Sequence, residues 1–257
     1  MGRFDHIAGV QAPEGAEAPG EPRFDAAHYL ELAHKAHACG AWQAALRLYG
    51  RALEEDRGRA EAWLGQVRVL LDMGQPAEAA TWMEQAGRVV GEVPGLLALR
   101  ALAAVGRGEL DEARQWSDRA MRDGPDQVEV WLARAAVVYA SGNGAMARVN
   151  LDKAHERDPG PQAARRCGEV ALDLGDLETA YRWLRRAEQA DPENPLLALR
   201  LGVLHERQGD WDQARRHLER ALALEPRLEP ARLALADLSS RGALGRLSAS
   251  LRRWMTR

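Results

Sequence analysis

Two histidines and a cysteine crowd one short stretch of this 257-residue chain: His34, His37 and Cys39. On a helix, His34 and His37 sit one turn apart on one face, a spacing at which two imidazoles can share a metal ion. A structural zinc site needs about four ligands in a closed geometry. Neither Cys-x-x-Cys nor His-Glu-x-x-His occurs in the chain. The two histidines therefore read as polar groups facing a groove, and no metal or other cofactor is expected. Gly142-Asn143-Gly144 has the glycines of a phosphate loop but lacks the Lys and Ser/Thr that would follow them. No Gly-x-Ser-x-Gly elbow is found. Catalysis is not expected.

The composition narrows the remaining classes. Hydrophobic residues make up 46% of the chain and aromatics only 5%, with Ala and Leu dominant. These are strong helix formers, and no window alternates in the manner of a strand, so the chain reads as all-α. Net charge is −3, and Lys35 and Lys153 are the only lysines. Arg182, Arg185, Arg186, Arg215, Arg216 and Arg220 lie among acids, with Glu178–Arg182 and Asp212–Arg216 spaced as solvated i,i+4 pairs. Nucleic-acid binding is not expected. Cys39 and Cys167 are too few and too far apart for a disulfide framework. The segment MGRFDHIAGV holds no apolar run of signal-peptide length. His6 stands where an N-myristoylation site would need Ser or Thr. No run of about 18 apolar residues would make a transmembrane segment. The expectation is a soluble, cytoplasmic protein.

The elements that must position any functional group repeat. Glycines fall at Gly40, Gly74, Gly108, Gly142, Gly175 and Gly209, at intervals of 34, 34, 34, 33 and 34. Alanines stand five residues after each (Ala45, Ala79, Ala113, Ala147, Ala180, Ala214) and seven further on (Ala52, Ala86, Ala120, Ala154, Ala187, Ala221). Pro125, Pro159, Pro192 and Pro226 close four of the six units, with Arg57 and Gly91 at that place in the first two. The glycine ends a first helix by taking left-handed φ. The alanines mark the close approach of neighbouring helices, and the proline follows a second helix that it cannot continue. Gly168 and Gly202 sit mid-helix, which costs about 1 kcal/mol against Ala and implies a crossing helix with no room for a methyl group. Seven of the eight tryptophans, among them Trp42, Trp63, Trp82, Trp116, Trp131, Trp183 and Trp211, fall at repeat positions and read as core.

This pattern resembles the tetratricopeptide repeat family. Tyr29, Trp63, Leu97 and Trp131 fill its bulky early position, Leu201-Gly202 matches its Leu-Gly pair, and Cys167-Gly168 is a close variant. Ser117 departs from the Tyr49, Met83, Leu151, Leu184, Leu218 position of the other units. The resemblance implies a right-handed α-solenoid of helix-turn-helix repeats with a C-terminal capping helix. Six repeats are expected at about 26–59, 60–93, 94–127, 128–160, 161–194 and 195–227, with a degenerate seventh or basic cap at 228–257. It also implies a concave face lined by first helices that holds a partner helix or extended peptide. The groove residues would be Leu30, His34, His37, Leu64, Arg68, Leu71, Ala98, Leu102, Val105, Leu132, Ala136, Tyr139, Arg165, Glu169, Leu172, Leu199 and Val203, with Glu61 and Glu129 beside them. Some members clamp a chaperone's terminal carboxylate with Lys and Asn. The matching positions here are Leu30, His34 and Gly65, or Leu64, Arg68 and Leu99, so that clamp is not expected. The function implied is a non-enzymatic scaffold or adaptor for a protein partner. An assembly factor or chaperone for a secreted or multi-subunit client, and a regulatory module acting through its tail or cap, stay open beside it.

The ends differ from the repeats. Residues 1–25 carry Pro13, Pro19, Pro22, Gly15 and Gly20 and read as a flexible tail and linker, with Phe4, Ile7 and Val10 in a short head. In the last unit Leu244, Leu247, Leu251 and Trp254 recur at three and four, and Arg241, Arg246, Arg252, Arg253 and Arg257 stand without acids. An acidic head and a basic cap allow weak head-to-tail self-association or a docking surface for an acidic partner.

Overall fold

The computed structural model of the chain describes residues 25–240, every element of which is a helix. The head, the linker as far as residue 24, and the basic arginines of the cap lie outside the described residues. The order is α1 (Ala26–Ala38), α2 (Trp42–Glu55), α3 (Ala60–Asp72), α4 (Pro76–Val90), α5 (Pro94–Arg107) and α6 (Leu110–Asp123). Then follow α7 (Val128–Ala140), α8 (Gly144–Arg157), α9 (Pro161–Asp173), α10 (Leu177–Ala190), α11 (Pro195–Gln208) and α12 (Trp211–Leu224). A thirteenth helix, α13, spans 229–240.

Local chemistry starts and stops these helices where the repeat requires. Asp25, Asn143, Asp176, Asn194 and Asp210 cap α1, α8, α10, α11 and α12, each accepting a backbone N–H three residues on. Pro76, Pro94, Pro161 and Pro195 occupy the first helical position of α4, α5, α9 and α11, where the missing N–H costs nothing. All six turn glycines take positive φ, between +70° and +89°.

Each odd-numbered helix packs chiefly on the even helix that follows it, and the odd helices also line up on one another through α5, α7 and α9. The two alanine rows mark these contacts: all twelve are buried. At Gly168 an added Cβ would lie 2.6 Å from Leu184 Cγ and 3.1 Å from its backbone nitrogen; at Gly202 it would lie 2.8 Å from Leu218. The crossing helix inferred from those glycines is therefore present. Leu184 and Leu218 are fully buried there, and burial of such a side chain is worth about 1.5–3 kcal/mol relative to exposure. The fold is an all-α solenoid of stacked helical hairpins.

The tryptophans divide. Trp63 and Trp131 donate their indole N–H to Arg57 O and Pro125 O, the same bond two units apart. Trp211 corrects the expectation that all seven would be core: it is 49% exposed. Its repeat-mate Trp42 is covered because the far end of the array lies against it. Trp42 packs with Leu196, Leu228 and their neighbours in the last hydrophobic cluster as well as in the first. A Cβ on Gly40 would meet Leu228 at 2.6 Å and Leu196 at 2.9 Å. The α1–α2 turn thus seats against α11 and the α12–α13 connection. The solenoid curls until its first and sixth hairpins touch, where the sequence pattern alone suggests an open trough.

Candidate functional site: a charged concave face

Curling brings the odd helices together around a common axis, and their long polar side chains meet there. On α3, Arg68 and Asp72 are one turn apart and point the same way. Glu129 begins α7, where a carboxylate also suits the positive end of the helix. Helix α9 contributes Arg165, Arg166 and Glu169, and α11 contributes Arg200. Glu129 accepts from Arg166 at 2.7 Å and from Arg68 at 3.5 Å, joining α7 to α9 and α3. Glu169 accepts from Arg200 at 3.1 Å and also pairs with Arg165. Asp72 bonds His37 at 2.7 Å and lies 4.0 Å from Arg200. The contacts between Asp72 and Arg200 and between Arg68 and Glu129 cross between non-adjacent units, so they tie opposite parts of the concave side together.

The electrostatics follow from that crowding. Burial alone would raise the Glu129 carboxyl, but Arg166 and Arg68 outweigh it and bring it to about 2. Burial likewise opposes ionisation of Asp72, yet its bond to His37 and the charges of His37, Arg200 and Arg165 hold it below the ordinary carboxylate value. Asp173, at the end of α9, differs. It is exposed at its edge, and partial desolvation by the neighbouring helices pushes its carboxyl up, with Arg200 offsetting only part of this. His34, at the exposed rim, is lowered by partial desolvation against its neighbours and by the nearby positive charge of His37 and Arg68.

The structure sorts the seventeen groove candidates. Leu30, His37, Ala98, Leu132, Ala136, Arg165, Leu172 and Leu199 are buried, most of them in the helix-to-helix clusters. Those side chains are occupied by packing or by the ion network. Leu64, Arg68, Leu71, Leu102, Val105, Tyr139, Glu169 and Val203 are half-buried, and His34 is exposed with its ring edge-on to Tyr49 at 5.7 Å. His34 and His37 do not act as a pair: one meets Tyr49 and the other Asp72. Among the described residues no group of three or more His, Cys, Asp and Glu is placed to hold a metal ion. Cys39 and Cys167 are both free thiols.

Asp72, Arg166 and Arg200 belong to this face and were not among the sequence candidates. One signal was available: Arg166 and Arg200 stand nine residues before Gly175 and Gly209, so they hold one register in successive units. What no repeat pattern conveys is that α3 and α11 come within reach of one another.

Comparisons with known proteins agree with this architecture. The sequence model of a family described as "Tetratricopeptide repeat" matches residues 36–102 and 171–238. Two further models of the same description match 132–195 and 94–119. Among curated proteins, Tetratricopeptide repeat protein 7B of Homo sapiens is 25% identical over 137 residues, 53% of this chain and 16% of that protein. The chain thus spans about one sixth of that relative's length. Among solved structures, a tetratricopeptide repeat protein from Parabacteroides merdae superposes with a TM-score of 0.52 at 15% identity, covering 83% of this chain and 84% of that one. Yeast Tom70 superposes with a TM-score of 0.51 at 17% identity, covering 85% of this chain and 48% of its own. Among the described residues no helix is long and apolar enough to cross a membrane.

Proposed function

We infer from its membership of the tetratricopeptide repeat family, to which this chain belongs, that it works by holding another protein. The role is a non-enzymatic scaffold or adaptor, in the cytoplasm, and the partner is a helix or extended segment. One observation carries this reading. The concave face presents half-buried apolar side chains, Leu64, Leu71, Leu102, Val105 and Val203, beside an ion network of both signs. Apolar anchors flanked by charges suit a peptide that supplies apolar side chains and a few ionic groups of its own. A network whose members already satisfy one another is a specificity filter: a guest must replace the bonds it breaks.

The test is capture of partners by the full chain with cross-linking and mass spectrometry, repeated with Leu102→Glu and Val203→Glu. Both side chains are only partly buried, so helicity should survive. The expected result is loss of a stoichiometric partner at unchanged circular dichroism. Undiminished capture by both variants would move the binding surface off the concave face.

A further inference from the structure

Inside the sixth hairpin two imidazoles lie face to face. His205 of α11 and His217 of α12 have ring centroids 5.2 Å apart and planes 14° from parallel. Tyr181 of α10 sets its ring edge-on to His205 at 6.1 Å. Both histidines are half-buried, and both Nδ1 atoms are buried with no hydrogen-bond partner among the described residues. His205 stands four residues before its turn glycine and His217 eight after it. In the third and fifth hairpins those positions hold Ala104 with Trp116 and Ala171 with Trp183, and none of the other five hairpins has a titratable group at either. The stack therefore puts two ionisable rings where the rest of the array packs apolar or neutral side chains.

We propose that this stack is an acid-sensitive latch: neutral, it holds α11 on α12; protonated, it parts them and releases the seam that closes the array. The groups around it set the direction. Arg185 of α10 and Arg220 of α12 face the pair. The acids beside it are Glu188 of α10 and Asp210 of the turn, and both are engaged. Glu188 pairs with Arg220 at 3.0 Å and also with Arg185, while Asp210 caps α12 by accepting the Gln213 N–H at 3.1 Å. A proton added at either Nδ1 becomes a buried donor without an acceptor, close to two guanidinium groups. A second proton, on the facing ring, adds like-charge repulsion. Burial, the largest cause, already holds both imidazoles below the ordinary histidine value, against the pull of Glu188 and, for His205, of Asp210. The folded chain therefore binds fewer protons here than the unfolded one. The stabilising contribution of the pair is complete above about pH 6.5 and is lost as pH falls through the lowered folded values. Release of the seam follows because the α1–α2 turn sits on this hairpin. Gly40 meets Leu196 of α11 and Leu228 just beyond α12, beside a seam cavity of about 980 Å³. This does not rest on the scaffold reading, which concerns the concave side.

The test is hydrogen exchange of the full chain at about pH 7.5 and about pH 5.5, read as protection factors so that the intrinsic effect of pH on exchange is removed. It is repeated with His205→Ala/His217→Trp, the pairing that the third and fifth hairpins carry. In the native chain, protection of α12 and of the α1–α2 turn should fall about tenfold or more relative to α5 and α6, since each unit of lowered pKa corresponds to about tenfold. In the variant both should keep their protection. No fall in the native chain, a fall confined to α12, or an equal fall in the variant would overturn the proposal. Imidazole nitrogen shifts of the native chain give a reading that needs no variant. His205 and His217 should titrate as a coupled pair below about 6.5, and titration of both at or above that value would equally overturn it.

Discussion

Asp72 of the second hairpin and Arg200 of the sixth lie 4.0 Å apart across the concave side. Three repeats lie between them in sequence. Their approach shows how tightly the array curls, and with Glu169 and His37 they form a ladder of charges from α9 through α11 and α3 to α1.

Breaking that ladder should loosen the curl. Arg200 is about one quarter exposed, so its contribution falls between a surface and a buried ion pair. Arg200→Met should cost about 1–2 kcal/mol in urea unfolding and increase the radius of gyration in solution scattering. An unchanged radius would mean that the apolar seam alone maintains the closure.

The acid limb of stability should depend on Glu129. Its folded value is about 2, below the ordinary carboxylate range, so its contribution is fully present above about pH 4.5. That contribution fades as pH falls toward 2. Glu129→Gln should lower stability at pH 7 and flatten the decline between those values, read as unfolding midpoints in denaturant.

The close helix crossings should not tolerate added atoms. Gly168→Ala gains about 1 kcal/mol of helix propensity but sets a methyl 2.6 Å from Leu184 Cγ and 3.1 Å from backbone. A net loss of about 1–3 kcal/mol is expected. Ala113→Phe, at a fully buried alanine, should lose at least as much. A neutral thermal midpoint for either would mean that the helix register differs from the one described.

Much of this was legible in the sequence, because each repeat position answers to a local steric demand. The turn glycines, the buried alanine rows and the crossing glycines Gly168 and Gly202 read correctly, since each constrains only a hairpin and its neighbour. Trp211 and the far end of the array did not. Trp42 and Trp211 hold the same repeat position, yet one is covered and the other exposed, because closure supplies a neighbour only to the first. Leu132 shows the same limit at the site. The family resemblance, aligned on the turn glycines, put it on the concave side, but packing leaves it 2% exposed within the stack, so Leu132→Glu would disturb folding rather than report on binding. The bridging residues Asp72, Arg166 and Arg200 depend on contacts between distant units, which a 34-residue period does not encode.

Closure of the array is the claim from which the rest follows, and the distance between its ends measures it directly. Arg47 on α2 and Arg227 before α13 line the two sides of the seam cavity. Spin labels at Arg47→Cys and Arg227→Cys, with Cys39 and Cys167 replaced by Ser and Ala, would report that distance by double electron–electron resonance. A single narrow distribution at short range is predicted. A broad or long-range distribution, as from an open solenoid whose ends stand apart, would contradict it.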